Sequence, residues 1–411
     1  MAGESARYQK CRNEISSHVR QKIDLSREVE DSEIQELIDG MIVQMGRKYA
    51  LSLKERQELG RSVFCSIRKM DVLQELIDCD EVTEIMVNGT GNIFVEKAGS
   101  IFQWDKRFET QEKLEDVIQQ IVAKCNRVVN EASPIADARL ENGARVNIVL
   151  APVALNGPVI TIRRFPKHPI TMEDLLRYGS ISQQAAEELE RLVAAGYNIF
   201  ISGGTGSGKT TFLNALSQFI PDTERIITIE DSAELQLQGI SNLVRLETRN
   251  ANMDGTKPIT IRDLIKSALR MRPDRIVVGE VRGGEAIDML QALNTGHDGS
   301  LSTGHANSSE DMLARLETMV LMGMELPLSA IRRQIASGVD IIVHLGRLRD
   351  KSRRVLEIVE ILGYENDEIV TAPLYQFRES GEKDGNVVGE LVKINKLTHT
   401  GKLTASGIEY T

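Results

Sequence analysis

The glycine-rich segment that begins at Gly203 constrains the fold of this chain more than any other part of the sequence. Residues 203–210 read GGTGSGKT and fit the spacing G-x-x-x-x-G-K-[ST]. The apolar run Asn198–Ser202 directly precedes this segment, and a helical pattern begins at Thr211. This order predicts a phosphate-binding loop, because glycines let backbone N–H groups wrap a phosphate at the positive end of a helix.

The side chains of this loop predict which ligands it binds. Lys209 is placed to reach the β- and γ-phosphates of a nucleotide, and the Thr210 hydroxyl is placed to bind a magnesium ion. The predicted cofactors are therefore ATP and Mg²⁺. The alternative is a glycine-rich turn that binds nothing, but such a turn requires neither the preceding strand nor the following helix. The predicted nucleotide-binding residues are Gly203, Gly204, Thr205, Gly206, Ser207, Gly208, Lys209, Thr210 and Thr211.

Short apolar runs alternate with helical patterns from residue 198 to residue 344. The alternation predicts an α/β fold with a mainly parallel sheet that is covered by helices on both faces. Ligands of such sheets bind at the carboxyl ends of the strands, so residues that follow a strand are candidates for the site. The predicted strands span residues 198–202, 225–229, 275–278, 301–303 and 341–344.

Acidic residues follow two of these strands. Glu230 and Asp231 follow one strand, and Glu280 follows another. A single acid at a strand end is more often a helix cap or part of a solvated loop, but several acids beside a phosphate loop favour a function. Glu280 is predicted to hold the metal through water. Glu230 is predicted to orient or deprotonate the attacking water, with Glu234 as a weaker alternative.

Two histidines lie close together in the segment TGHDGSLSTGHA, which spans residues 295–306. No cysteine or third histidine accompanies them, so the spacing does not predict a metal site. A histidine of this kind is often a hydrogen-bonded structural residue, and that interpretation stays open. The other interpretation is that His305, beside a strand end, donates to a γ-phosphate and reports its presence.

The first 165 residues show a different organisation. Apolar residues recur at helical spacing up to about residue 70, and Ser52 with Glu55 has the form of a capping box that opens a third helix. A small helical bundle is the favoured interpretation, and a docking module is the alternative. From about Glu81, short apolar runs separated by turns surround one helical stretch, which predicts an α+β domain.

The segment FPKHP at 165–169 marks the predicted boundary between the two halves, because proline fixes φ and lacks an N–H donor. The last thirty residues are rich in turn-forming residues, which predicts an appendage rather than part of the sheet. The predicted parts are an N-terminal helical segment at 1–75, a smaller α+β domain at 76–165, a linker at 166–180, the phosphate-loop domain at 181–365 and a C-terminal extension at 366–411.

Composition and charge argue against several classes of protein. The 411 residues include 50 basic and 60 acidic side chains, for a net charge of −10, and only 4% are aromatic. A nucleic-acid motor needs a basic channel with stacking aromatic side chains, so no nucleic-acid partner is expected. The four cysteines form no C-x-x-C pair, which favours reduced thiols in a cytosolic protein. The longest uncharged runs, 146–162 and 192–208, are interrupted by proline or glycine, so no direct membrane insertion is expected.

The order of these segments resembles that of the secretion and pilus ATPases. The glycine loop, the run ITIED that ends at Asp231, the run MRPDRIVVGEVRG at 271–283 and the histidine segment that ends at Ala306 resemble the Walker A, Asp, Walker B and His boxes of that superfamily. Upstream, VTEIMVNG at 82–89 and DARLENGARVN at 137–147 look like the CpaF-type branch, which is linked to Flp/Tad pili and type II/IV secretion.

The resemblance implies a RecA-like P-loop NTPase domain, preceded by the α+β domain and the helical segment, in a homo-oligomer that is expected to be a hexamer. It also implies that the nucleotide lies between the two domains and that arginines of the first domain complete the phosphate site. Arg139, Arg145 and Arg163 match those positions, although an arginine at a hairpin is usually a solvated surface residue. Ser232 departs from the pattern, since many relatives have proline there, and the zinc-binding cysteines of some pilus-extension relatives are absent.

The implied function is that of an ATPase that couples hydrolysis to mechanical work, for assembly of a Flp/Tad-like type IV pilus or for protein secretion through a membrane machine. The expected partner is an integral membrane platform protein, and the expected location is the cytoplasm, at the inner face of the cell membrane. One alternative is a conjugation-like type IV secretion ATPase, and another is a RecA-like nucleic-acid motor. A non-hydrolysing, nucleotide-gated scaffold is disfavoured by Lys209, Glu230 and Glu280.

Overall fold

The chain forms two compact units, residues 1–167 and residues 168–411. Each unit has its own sheet and its own apolar cores, and the second unit carries the glycine-rich loop. No helix in the described ranges is both long enough and apolar enough to cross a membrane. The structure, a computed structural model, describes residues 2–23, 29–97, 99–125, 127–165, 169–249 and 257–410.

The first unit combines a helical part with a six-stranded sheet in which every neighbouring pair is antiparallel. The strands follow the order β3-β2-β1-β6-β5-β4 across this sheet. Its helices are α1 (Ala2–Lys22), α2 (Asp31–Lys48), α3 (Leu53–Arg68), α4 (Leu73–Asp78) and α5 (Gln111–Lys124). Its strands are β1 (Val82–Asn88), β2 (Asn92–Lys97), β3 (Ser100–Gln103), β4 (Ile135–Arg139), β5 (Arg145–Val149) and β6 (Val159–Arg163).

The first three helices pack on one another through the apolar positions that the helical spacing predicts. Their core includes Ile15 and Ile38, both fully buried. Arg12 is 5% exposed, and its guanidinium lies 2.5 Å from a carboxylate oxygen of Asp71 and 2.5 Å from one of Glu109. A buried ion-pair cluster therefore joins the helical part of this unit to the part that contains the sheet.

The second unit is built on a nine-stranded sheet with the order β15-β14-β13-β12-β7-β11-β10-β8-β9. The strands from β12 to β9 in that order are parallel, and β13, β14 and β15 are antiparallel additions. Its helices are α6 (Met172–Arg177), α7 (Gln183–Ala194), α8 (Lys209–Ser217), α9 (Ile261–Ala268), α10 (Ala286–Leu293), α11 (Ser309–Gly323), α12 (Leu328–Gly338) and α13 (Gly401–Ala405). Its strands are β7 (Ile199–Gly203), β8 (Arg225–Glu230), β9 (Asn242–Glu247), β10 (Arg275–Val278), β11 (Leu301–Gly304), β12 (Ile341–Arg347), β13 (Arg353–Glu365), β14 (Glu368–Lys383) and β15 (Asn386–Lys393).

Both faces of the second sheet are covered. Ile199 and Ile201 of β7 belong to one apolar core, which also contains residues of α7 and α8. Phe200, between them, belongs to a second core with residues of α9 to α12. Alternate residues of a strand point to opposite faces, so a strand that is apolar throughout is the form a doubly covered parallel sheet requires.

The structure corrects two predictions for the C-terminal part of the chain, the extension at 366–411 and the appendage over the last thirty residues. The strands β14 and β15 extend the sheet beyond β13, and they are joined by a two-residue turn at Asp384 and Gly385, whose φ angles are +51° and +78°. Such a turn suits a tight antiparallel hairpin. The buried carboxylate of Glu360 accepts hydrogen bonds from the backbone N–H groups of Thr398 and His399, which holds the segment after β15 against the sheet.

The predicted linker at 166–180 is also corrected in part. Residues 166–168 lie outside the described residues. Thr171 caps α6 through a capping box with Asp174, and Met172 and Leu175 lie in the core of the second unit. Residues 171–177 are therefore part of the second unit, because their apolar side chains are buried in it.

Candidate active site

The glycine loop connects the end of β7 to the start of α8. Gly206 and Gly208 have φ angles of +71° and +95°, in the left-handed region that favours glycine. A Cβ atom at Gly203 would lie 2.5 Å from the carbonyl oxygen of Leu345 on the adjacent strand β12. The shape of the loop and its close approach to β12 therefore require glycine at these positions.

The start of α8 offers backbone N–H groups to a ligand. Gly208 is the N-cap of this helix, and no side chain in the described part of the chain caps it. The first N–H groups of a helix have no partner within the helix, and the helix dipole makes this end positive. Thr210 and Thr211 are half-buried in the first turn, while Gly204 and Thr205 are exposed. This end of α8 is thus suited to bind a phosphate.

The side chain of Lys209 is bound by its own loop. Its Nζ atom donates to the carbonyl oxygens of Gly203 and Gly204, both at 3.0 Å, and lies 3.2 Å from His305 Nδ1. The hydroxyl of Ser207 donates to the same Gly204 oxygen at 2.9 Å. Burial lowers the pKa of Lys209. The ammonium is therefore poorly hydrated, and a phosphate that enters the loop would replace neutral carbonyl partners with a charged one.

His305 connects this lysine to the acid on β10. Burial lowers the pKa of His305, and the nearby Lys209 ammonium lowers it further, which favours the neutral ring. Nδ1 faces an ammonium that can only donate, which assigns the ring proton to Nε2, 2.8 Å from Glu280 Oε1. His297 lies before β11, at the amino-terminal end of the strand, whereas His305 lies at its carboxyl end. The Nδ1 atom of His297 is 3.2 Å from the carbonyl oxygen of Ala292.

Glu280 follows β10 and also contacts a cationic side chain, that of Arg282. Arg282 Nη2 donates to Glu280 Oε2 at 2.6 Å, and the same guanidinium lies 3.8 Å from a carboxylate oxygen of Asp231. Mg²⁺ prefers oxygen ligands and usually binds through one or two protein groups together with substrate phosphates and water. The Thr210 hydroxyl and the Glu280 carboxylate are donors of this kind, so the predicted pair fits the metal.

Glu230 ends β8 and is 3% exposed. Its Oε2 atom accepts hydrogen bonds from the backbone N–H groups of Glu234 at 2.7 Å and Leu235 at 2.9 Å. Its Oε1 atom is buried and has no hydrogen-bond partner among the described residues. Burial raises the pKa of Glu230 to about 7. A carboxyl group that titrates near neutral pH is suited to accept a proton from water, and Glu234 supports it through its backbone.

We expect Glu230→Gln to stabilise the protein at pH 8 but not at pH 5. The pKa of Glu230 is about 7 in the folded chain against an ordinary value of 4.5, so the folded state binds an extra proton between these values. Stability of the wild type therefore falls as the pH rises from 4.5 through 7, and the variant lacks this loss. The pKa difference corresponds to about 3 kcal/mol. Denaturant unfolding of both proteins at the two pH values measures the effect, and an equal difference at both would contradict the raised pKa.

The three predicted arginines lie side by side on the first unit. Arg139 pairs with Arg145 across β4 and β5, and Arg145 pairs with Arg163 across β5 and β6. Directly opposite residues of antiparallel strands point to the same face, so the three form one row, named here the arginine row. Glu84 of β1 lies next to Arg163 in the same row. The structure brings these arginines together on the first unit, whereas Lys209 and the acids belong to the second.

Some residues around the loop carry only a weak sequence signal or none. His344 of β12 is 6% exposed, and its Nδ1 atom lies 2.8 Å from the hydroxyl of Ser202 on β7. This contact supports the strand that leads into the loop. A polar residue within the apolar run IIVHL was the available signal. Arg347 and Arg353 also lie against the loop, but no local sequence signal distinguishes them from other surface arginines.

Comparison with known proteins identifies relatives of this chain. Residues 67–396 match the family described as Type II/IV secretion system protein. Conjugal transfer protein TrbB of Rhizobium radiobacter is 34% identical over 313 residues, which cover 75% of this chain and 93% of that protein. Type IV secretion system protein PtlH of Bordetella pertussis is 34% identical over 315 residues, which cover 70% of this chain and 93% of that protein.

A solved structure shares the fold. The X-ray structure of the Legionella pneumophila ATPase DotB matches with a TM-score of 0.50 and 20% identity, over 72% of this chain and 81% of that chain. The predicted α/β fold with a RecA-like domain is thereby confirmed. Since the family match spans most of the chain, the protein belongs to the type II/IV secretion system ATPase superfamily.

Proposed function

We propose that this chain is an ATP-hydrolysing motor subunit of a pilus or secretion machine. The contacts from Lys209 through His305 to Glu280 support this proposal most directly, since they join the phosphate loop to the acid predicted to hold the metal. Backbone N–H groups at the start of α8 bind the phosphates. Lys209 exchanges its carbonyl partners in the loop for oxygens of the transferred phosphoryl group, where its charge stabilises the transition state.

The acids divide the remaining work. Thr210 and Glu280 would hold Mg²⁺, which neutralises charge on the phosphates. Glu230 orients the attacking water and accepts its proton, for which a pKa near 7 is favourable. His305 loses its contact with the ammonium when Lys209 turns to the phosphate. The ring then reports the presence of the γ-phosphate to Glu280.

An arginine completes the site in this proposal. The arginine row places three cations next to one another on one face of the first sheet, with Glu84 beside Arg163. We propose that the row acts on the phosphates within a ring of identical chains, a hexamer as the family resemblance implies. An arginine on the transferred group is worth about 10³–10⁵ in rate.

The machine that the motor serves has two candidates. The upstream resemblance favours a Flp/Tad-like pilus, and the names of the relatives TrbB and PtlH favour a conjugation-like type IV secretion system. In both, the chain works at the inner face of the cell membrane with an integral membrane platform protein. Deleting the chain should abolish surface pili in the first case and conjugal or protein transfer in the second. Co-purification with a membrane protein encoded nearby identifies the machine.

We expect purified protein to release phosphate from ATP only when Mg²⁺ is present, and we expect single-stranded DNA to leave the rate unchanged. The loop supplies phosphate donors, a lysine and a metal-binding hydroxyl, whereas a net charge of −10 and 4% aromatic residues do not favour a nucleic-acid channel. Steady-state phosphate release with and without EDTA or DNA measures both effects. Strong stimulation by DNA would favour the nucleic-acid motor, and no hydrolysis under any condition would favour a nucleotide-gated scaffold.

A further inference from the structure

Two arginines that flank the turn between β12 and β13 lie against the glycine loop. Arg347 and Arg353 are directly opposite each other in the antiparallel register of these strands. Arg353 Nε donates to the carbonyl oxygen of Gly206 at 2.8 Å, and its Cδ atom lies 3.4 Å from the position of a Cβ atom at Gly208. Arg347 Nη1 lies 3.9 Å from the position of a Cβ atom at Gly206.

The charges of this pair are not balanced by acids. Both side chains are exposed, and within the described ranges no carboxylate lies at ion-pair distance from either guanidinium. By contrast, Arg349 of the same turn pairs with Glu379 at 2.7 Å and with Glu382 at 3.1 Å. Two cations directly opposite each other repel, so an anion between or beside them would stabilise the turn. Their position on the phosphate loop indicates which anion that is.

The order of the strands places the pair on a definite side of the loop. The strand β7, which leads into the loop, lies between β12 on one side and β11 and β10 on the other. His305 and Glu280 follow β11 and β10, and the Nζ atom of Lys209 contacts His305. The proposed positions of the reacting phosphate and the metal are therefore on the β11 side of the loop. Arg347 and Arg353 lie on the opposite side, away from His305 and Glu280.

We propose that Arg347 and Arg353 form an anion subsite for the phosphates that ATP and ADP share, and not for the γ-phosphate. This inference rests on the proposed ATPase function. The pair sets the affinity for nucleoside diphosphate, while Lys209, His305 and Glu280 act on the transferred phosphoryl group and its metal. Losing a hydrogen bond to a charged group typically weakens binding about tenfold or more. Each arginine should thus affect ATP and ADP to the same extent.

Calorimetric titration of the full chain with ADP and with a non-hydrolysable ATP analogue tests the proposal. The variants are Arg347→Ala, Arg353→Ala and the double variant, and Arg349→Ala is the matched control because it removes a charge from the same turn. We expect each single variant to raise both Kd values about tenfold, the ratio between them to stay unchanged, and the control to bind as the wild type does. Arg347→Ala is the most informative single variant, because among the described residues no hydrogen bond joins Arg347 to the loop. Its loss leaves the contact of Arg353 with Gly206 in place.

Several results would overturn the subsite. Wild-type affinity for both nucleotides in the double variant would show that the pair does not bind phosphate. If the variants bound only the ATP analogue more weakly, and ADP as the wild type does, the pair would contact the γ-phosphate instead. A loss of nucleotide affinity in Arg353→Ala that Arg353→Lys restores, together with wild-type affinity in Arg347→Ala, would show that a single cation binds the phosphates and not a pair. If the wild type itself bound neither nucleotide, the proposed ATPase function would fall, and the subsite with it.

Discussion

Replacing Lys209 by alanine is expected to lower kcat/KM for ATP hydrolysis by about a hundredfold or more. The variant removes a buried ammonium from the loop, and electrostatic contacts to a transferring group in such a site typically contribute about 10²–10³ in rate. Lys209 also donates to the carbonyl oxygens of Gly203 and Gly204, so the melting temperature is compared as well. Phosphate release at saturating and subsaturating ATP measures kcat and KM separately.

A matched pair of variants makes this result specific. Lys383→Ala removes an exposed lysine at the end of β14 and should leave turnover unchanged. Glu280→Gln should bind ATP and hydrolyse it slowly, because it keeps the loop intact and loses the carboxylate that would hold the metal. Full activity in Lys209→Ala would show that the glycine loop is not the site of hydrolysis. Unchanged turnover in Glu280→Gln would show that Glu280 does not hold a catalytic metal.

Arg145→Ala is expected to lower the rate of hydrolysis by about 10³-fold or more, and mixing it with Lys209→Ala subunits is expected to restore part of the activity. Each variant lacks one half of the site and keeps the other. In a closed ring every interface is the same, so roughly a quarter of the interfaces in an equal mixture pair an intact loop with an intact arginine. Recovery to about that fraction would show that the two residues act from different chains.

Controls and mass measurements decide between the alternatives. Arg107→Ala changes an exposed arginine of the same unit outside the arginine row and should leave activity unaffected. Failure of the mixture to recover, with both variants still assembled, would show that each chain completes its own site. Activity per chain should rise with protein concentration until the ring is complete. A flat dependence, together with a monomeric mass, would contradict the ring.

The phosphate loop was predictable because its determinants are local. The left-handed φ angles at Gly206 and Gly208 favour glycine, so the turn is marked by the residues of the loop itself. The parallel strands were predictable for a related reason. A strand buried on both faces is mostly apolar, and β10 spans the predicted residues 275–278, of which Ile276, Val277 and Val278 are apolar.

The C-terminal strands were hard to predict because few of their residues are buried. In β14 only Leu374 and Tyr375 are buried, so no apolar run marks the strand. The pair Asp384 and Gly385 was a usable hairpin signal. What makes the segment part of the fold is distant in the sequence: Glu188 of α7 accepts hydrogen bonds from Tyr375, Lys393 and Tyr410.

By itself the sequence determined the glycine loop, the parallel strands beside it and the acids at their carboxyl ends, because each depends on neighbouring residues and on backbone geometry. Only the tertiary structure decided what those side chains meet. The proton affinity of Glu230 follows from burial at the end of β8, the contact of His305 with Lys209 from the adjacency of β11 and β7, and the pairing of Arg347 with Arg353 from the register of β12 and β13. Burial and strand register are properties of chain segments far apart in sequence, and a one-residue change of register would turn each strand's side chains to the other face.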